Sequence, residues 1–153
     1  MITSHPGISK RLKSKAKTEK EKSSVKPTVI NDDIIRGYLV QYNKENKIFD
    51  ADDEPLWNLT HCALSYKNII EIDNLVGLEK LQKLQLDNNI ICEIKNLGHL
   101  VNLTWLDLSF NLITKIENLE QLTLLTDLSL YSNRIEKLSG LDTLVNLNVF
   151  SFG

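Results

Sequence analysis

Cysteine, proline and glycine are all scarce in this chain, with two, three and six residues in 153, and the shortages close off several classes of protein. Cys62 and Cys92 are too few for the disulfide framework on which small secreted domains rely. The six glycines form no phosphate-cradling loop, and His5, His61 and His99 are scattered without metal-ligand spacing. Ser, Cys and His converge on no nucleophile arrangement. No apolar run is long enough to span a bilayer, and the first residues lack the apolar core of a secretory signal. These absences predict a protein that is not an enzyme, holds no cofactor or metal, and works in a reducing compartment. In that setting the two N-x-T sequons, at Asn58 and Asn102, carry little weight.

What the chain does have is leucine and isoleucine in a fixed register. The stretch Leu81 to Leu100 reads LQKLQLDNNIICEIKNLGHL, and its pattern returns 22 positions later, twice. The first place of each unit is Leu59, Leu81, Leu103, Leu125 and Leu147; the fourth is Cys62, Leu84, Leu106, Leu128 and Phe150. The sixth is Leu64, Leu86, Leu108, Leu130 and Phe152, and the ninth is Lys67, Asn89, Asn111 and Asn133. Ile69, Ile91, Ile113 and Ile135 follow, then three further aliphatic places. The consensus LxxLxLxxNxIxxIxxLxxL is that of a leucine-rich repeat.

Each unit contains two periodicities. Leu84 and Leu86 are two apart, as side chains on one face of a strand must be. Ile94, Leu97, Leu100 and Leu103 step by three, which fits 3₁₀-like or irregular turns better than a long α-helix. The fold expected is an α/β solenoid: short parallel strands on a concave face, a 3₁₀ or irregular convex side, and a helical N-terminal cap. Each coil hides its leucines only against its neighbours. Stacked Asn89, Asn111 and Asn133 should satisfy the turn backbone as an internal ladder. Lys67 marks the first unit as an atypical, terminal one.

The chain divides into a basic arm over residues 1–28, a helical cap and linker over 29–58, and repeats over 59–153, four complete and a fifth cut short. The arm carries eight Lys or Arg against Glu19 and Glu21, a formal +6, so the remainder carries −8 of the net −2. Poor in apolar residues, it is predicted to be disordered when free. Its charge suits an acidic polymer, and the outer face of a microtubule fits better than nucleic acid, because nothing here reads base edges. From Asn31, a capping residue, Asp32 and Asp33 open a helix whose Ile34, Ile35, Tyr38, Leu39 and Tyr42 recur at helical spacing. That helix should cover the open end of the first repeat, with binding to a partner as the lesser alternative. Asp50, Asp52, Asp53 and Glu54 lack calcium-loop spacing and read as a solvated acidic loop. The chain stops at Gly153 without a polar closing cap, which predicts a longer natural protein.

The strand face that does not point inward is the expected binding surface. Its third column is His61, Lys83, Trp105, Asp127 and Val149, and its fifth is Ala63, Gln85, Asp107, Ser129 and Ser151. Phe110, Tyr131 and Arg134 come from later columns. A tryptophan that packing does not require, ringed by carboxylates, is a candidate hot spot. The expected partner-binding residues are Trp105, Asp107, Phe110, Asp127, Tyr131, Lys83 and Arg134, facing a basic or amphipathic segment.

The 22-residue unit resembles the repeats of a nuclear regulator of protein phosphatase 1 and of several axonemal proteins. The stretches VINDDII, NIIEIDNLVGLEKLQKLQLDNNII and LVNLTWLDLSFNLITKIENLEQL resemble the nexin–dynein regulatory complex family of leucine-rich-repeat subunits, over roughly Val29 to Gly153. The resemblance implies a non-catalytic scaffold of the ciliary or flagellar axoneme, in the cytoskeleton, linking doublet microtubules and regulating dynein. Its partners would be other subunits of the axonemal linker complex, with dynein arms and microtubules as contacts of the basic arm, and neither specific nucleic acid nor membrane. The alternative is a regulatory subunit of a protein phosphatase.

Overall fold

A computed structural model describes residues 26–46 and 55–153; most of the basic arm and the acidic loop at Asp50–Glu54 lie outside the described residues. Five three-residue strands, β2 (His61–Ala63), β4 (Lys83–Gln85), β5 (Trp105–Asp107), β6 (Asp127–Ser129) and β7 (Val149–Ser151), form one parallel sheet in the order β2-β4-β5-β6-β7. Every pairing is offset by 22 residues, as with Leu84↔Leu106 and Leu106↔Leu128. The repeat period thus becomes the strand register without a slip.

Within each strand the middle residue points inward. Cys62, Leu84, Leu106 and Leu128 are buried, and so are Leu64, Leu86, Leu108 and Leu130 two positions on. The steps of three on the opposite side close as i→i−3 turns: Leu100 N donates to Leu97 O and Leu103 N to Leu100 O, both at 2.9 Å. The same pair recurs at Leu122 and Leu125 and at Leu144 and Leu147. Spacing by three therefore does produce 3₁₀-type turns in each coil.

The asparagine ladder is internal. Asn89 Oδ1 accepts from Lys67 N and Ile69 N of the preceding coil, while its Nδ2 donates to Leu64 O and Leu86 O at 2.9 Å. Asn111 repeats the scheme with Ile91 N, Leu86 O and Leu108 O, and Asn133 with Ile113 N, Leu108 O and Leu130 O. One amide thus satisfies backbone groups of two coils at a turn that leaves them unpaired. A second ladder, not foreseen from the sequence, stands on the far side. Asn74, Asn96 and Asn118 adopt left-handed backbone, and their Nδ2 atoms donate to Ile30 O, Ile72 O and Ile94 O. Asparagine tolerates that conformation better than most residues, and Gly140 holds the corresponding place in the next coil with φ +75°.

The N-terminal end is closed by chain that precedes the repeats. Helix α1 (Asp32–Asn46) begins at Asn31, whose Oδ1 accepts from Ile34 N at 3.0 Å. Its buried face is Ile35, Leu39 and Asn43, and it packs on β2. Before it, β1 (Thr28–Val29) pairs in parallel with β3 (Ile69–Glu71), and Lys26 O accepts from Asn68 Nδ2. Sequence periodicity gave no sign of this strand, and Thr28, the last residue of the expected arm, lies in it. Residues 26–30 therefore stand where a preceding coil would stand. The Asn43 amide nitrogen, although buried, has no hydrogen-bond partner among the described residues.

Candidate functional site

The register of the sheet places His61, Lys83, Trp105, Asp127 and Val149 in one row across the concave face. Trp105 stands between Lys83 and Asp127, as the 22-residue columns require. A second row carries Ala63, Gln85, Asp107, Ser129 and Ser151. Trp105, Asp107 and Asp127 are half-buried and Lys83 is exposed, while Leu84, Leu106 and Leu128, which separate the two rows within the strands, are fully inside.

The carboxylates on this face are held by short-range partners. Asp127 Oδ2 accepts from Thr126 Oγ1 at 2.7 Å. Asp107 Oδ1 accepts from Ser109 N at 2.9 Å and from the Ser109 hydroxyl, which also meets Ser129 Oγ at 3.1 Å. Asp87 is the most tightly held: Ser65 Oγ and Gln85 Nε2 donate to its Oδ1 at 2.5 and 2.8 Å, and Asn88 Nδ2 to its Oδ2 at 2.6 Å. Burial opposes ionisation of Asp87, but the bonds from Ser65, Asn88 and Gln85 outweigh it and hold the carboxyl below its usual range. Asp87 sits in the seventh column and was not among the residues singled out from sequence. Its signal is a lone Asp at a position occupied by Ser in the adjacent coils.

The aromatic candidates do not form one patch. Phe110 and Tyr131 meet edge to face, with ring centroids 5.7 Å apart at 74°, at the turn that follows the strands. Trp105 lies at the opposite end of its strand; four residues of extended chain, about 13 Å, separate it from Ser109. Phe110 occupies a left-handed corner with φ +53°, a conformation that costs a bulky residue about 1–2 kcal/mol. Tyr66, Asn88 and Ser132 occupy the equivalent corners, and Tyr66 is 77% exposed. Arg134 falls outside both clusters. It follows the Asn133 turn, is exposed, and its backbone N donates to Ile113 O at 2.8 Å, away from the strand rows.

Trp105 instead lines a cleft of about 380 Å³ where α1 overhangs the first strands. Tyr38 and Tyr42 form its helical wall, and His61, Ala63, Lys83 and Gln85 line the sheet side. The sequence assigns this helix chiefly to covering the end of the first repeat, with partner binding as the lesser use. It does so with Ile35 and Leu39, and its tyrosines, on an adjoining stripe, face the cleft. Burial first, then the neighbouring Cys62, Tyr42 and Glu45, push the Tyr38 hydroxyl up to about 12. Burial does the same to the Cys62 thiol, which stays protonated and a poor nucleophile at neutral pH. Among the described residues no cluster of three His, Cys, Asp or Glu could hold a metal, and no helix is long and apolar enough to cross a membrane.

Comparison with known proteins follows the repeat. Residues 101–151 match the family described as Leucine Rich repeats (2 copies). No curated protein matches the chain. Among solved structures, the functional domain of InlJ from Listeria monocytogenes aligns over 69% of this chain and 27% of its own, with 28% identity and a TM-score of 0.55. An internalin, inlF, from the same organism aligns over 67% and 31%, with 31% identity and a TM-score of 0.55. The leucine-rich repeat domain of APL1B shares the fold over 82% and 37%, at 18% identity and a TM-score of 0.56. This chain thus spans between about a quarter and two fifths of these structures. Bacterial repeats fit this chain well, so the 22-residue consensus carries the fold and not a cellular setting. The parallel sheet, the asparagine ladder and the family match agree: the repeats of this chain are leucine-rich repeats.

Proposed function

We propose that the chain is a non-catalytic protein-interaction scaffold that works through its concave face, and that it serves in the ciliary axoneme as a subunit of the nexin–dynein regulatory complex. The observation that carries the interaction reading is Trp105. It is a half-buried indole in a strand row where the fold needs no large side chain, since its neighbours in that row are His61, Lys83, Asp127 and Val149. Large aromatic side chains that packing does not require are frequent anchors of interfaces. The axonemal setting rests on the resemblance of the cap and repeats to that family and on the basic arm, whose charge suits a microtubule surface.

Two experiments test this. Tagged protein expressed in a ciliated cell should stay on the doublets after the membrane and soluble matrix are stripped, and leave only at raised salt. A diffuse or nuclear signal, with a phosphatase recovered on pull-down, overturns the axonemal assignment in favour of a phosphatase regulator. Trp105→Ala should weaken partner capture about tenfold or more while the thermal midpoint barely moves. If capture survives that change and fails only when residues 1–28 are removed, the arm carries binding and the concave face does not.

A further inference from the structure

The cleft beneath α1 differs in chemistry from the rest of the concave face. Its walls are aromatic, from Tyr38, Tyr42 and Trp105, and its charged lining is Lys83 with His61 beside it; among the described residues no carboxylate lines it. One strand further along the sheet the sign reverses, because Trp105 pairs with Asp127 and Asp107 follows two positions later. Lys83 makes no ion pair among the described residues. Asp107, diagonal to it on the next strand, already accepts from Ser109 N and the Ser109 hydroxyl, and Asp87, further along its own strand, is held by Ser65, Gln85 and Asn88.

Three aromatic rings raise the question of a cationic guest, and the geometry argues against one. Tyr38 and Tyr42 have centroids 5.8 Å apart with planes tilted by 39°, so they pack on each other and do not stand as opposed walls. A cation over Trp105 would also meet the Lys83 ammonium across the strand pair. A carboxylate meets the reverse situation. It finds Lys83 within the cleft, and Tyr38 keeps its hydroxyl hydrogen as a donor well above neutral pH. The volume suits one or two side chains, within the range of small binding sites.

We propose that this cleft captures a segment of a partner protein in which a bulky apolar side chain seats against Tyr38, Tyr42 and Trp105 while an adjacent Asp or Glu meets Lys83. The proposal rests on the reading of the concave face as a protein-binding surface and narrows it to one end and one chemistry. It makes the cleft the anchor of a larger contact, since an ordinary interface buries about 800 Å² per side.

The test is selection of a random phage-displayed peptide library on the full chain, followed by binding of a synthetic peptide carrying the enriched sequence, read by fluorescence anisotropy. The expected consensus has an acidic residue next to Leu, Ile, Phe or Trp. Affinity should fall about tenfold or more for Lys83→Glu and for Tyr42→Ala, with thermal midpoints near that of the unaltered chain. A consensus without an acid, a peptide that binds Lys83→Glu as tightly as the unaltered chain, or no enrichment at all overturns the proposal. Peptides that depend on Phe110 and Tyr131 but not on Tyr42 overturn the cleft while leaving the concave face an interaction surface. Cleft binding that holds while the protein washes off isolated doublets sinks only the axonemal assignment.

Discussion

The two ends of the solenoid use the same repeat and bury it to different degrees. At the first coil, Leu59, Cys62, Leu64, Ile69 and Ile72 are all inside, because α1 covers the strand side and residues 26–30 cover the far side. Ile30 O even takes the hydrogen bond from Asn74 that Ile72 O takes from Asn96 one coil later. At the last coil, Leu138 is 48% exposed, although Ile72, Ile94 and Ile116 in the same column are buried to 1% or less. Phe152 is 52% exposed as well, although Leu64, Leu86, Leu108 and Leu130 in its column are buried, and β7 has β6 on one side only among the described residues. The side chains hardly differ between ends. A leucine in this fold is a core residue only when another layer, whether a repeat or a stand-in, lies on it.

The largest effect that can break this comparison is a matched pair in one column. Ile94→Ala should cost about 2–5 kcal/mol, as for a fully buried aliphatic residue with coils on both sides. Leu138→Ala should cost about 1 kcal/mol or less, since half of it already meets water. Urea unfolding of both variants checks this, and equal losses would mean that the column, and not the neighbour, sets the burial. Next in size is the ladder. Asn111→Ala orphans Ile91 N in a closed interior and removes one of the two amide donors from Leu86 O, which keeps Asn89, and from Leu108 O, which keeps Asn133, at a cost of about 2–3 kcal/mol. Asn133→Ala, in a half-buried coil, should lose about 1 kcal/mol, because water reaches the groups released.

Glycine gives a third contrast. A Cβ at Gly140 would lie 2.6 Å from Ile116 O, and its φ of +75° disfavours alanine, so Gly140→Ala should cost about 2 kcal/mol. Gly37, on the exposed face of α1, has nothing within 4 Å of such a Cβ, and Gly37→Ala should gain about 0.5–1 kcal/mol from helix propensity. The thermal midpoint moves in opposite directions for the two variants if the closed end tolerates change and the tight corner does not.

The repeats were legible because one register fixes so many side chains at once. The period gave the strands, the inward leucines, the turns of three and the ladder at Asn89, Asn111 and Asn133. The same period runs through Asn74, Asn96, Asn118 and Gly140, yet their role was missed. An exposed asparagine looks like surface until its left-handed backbone and its carbonyl partner in the coil before are known. Strand β1 was missed for a different reason: two residues make no periodicity, and their place comes only from pairing with Ile69–Glu71. For the site, the columns placed Lys83, Trp105 and Asp127 side by side. They could not separate Trp105 from the Phe110–Tyr131 pair, nor bring Tyr38 and Tyr42 from a helix about 60 residues away in sequence. Contacts between unlike elements have no period to read.

The smallest expected effect concerns Asp87, near the closed end. Its carboxyl titrates below its usual range in the folded chain because Ser65, Asn88 and Gln85 favour the charged form against its burial. A depressed carboxyl contributes stability that is fully present above its unfolded value, near pH 4, and is lost as pH falls through the folded value. Stability of the unaltered chain should therefore decline on acidification below about pH 4, part of it through this group. Asp87→Asn removes the titration, so its deficit relative to the unaltered chain should shrink as pH falls through that window. Asp107 and Asp127 each accept a hydroxyl donor, but neither gathers three side-chain donors as Asp87 does. If the deficit of Asp87→Asn stays the same from pH 6 to below pH 4, the network around Asp87 contributes no more to folding than a surface carboxylate does.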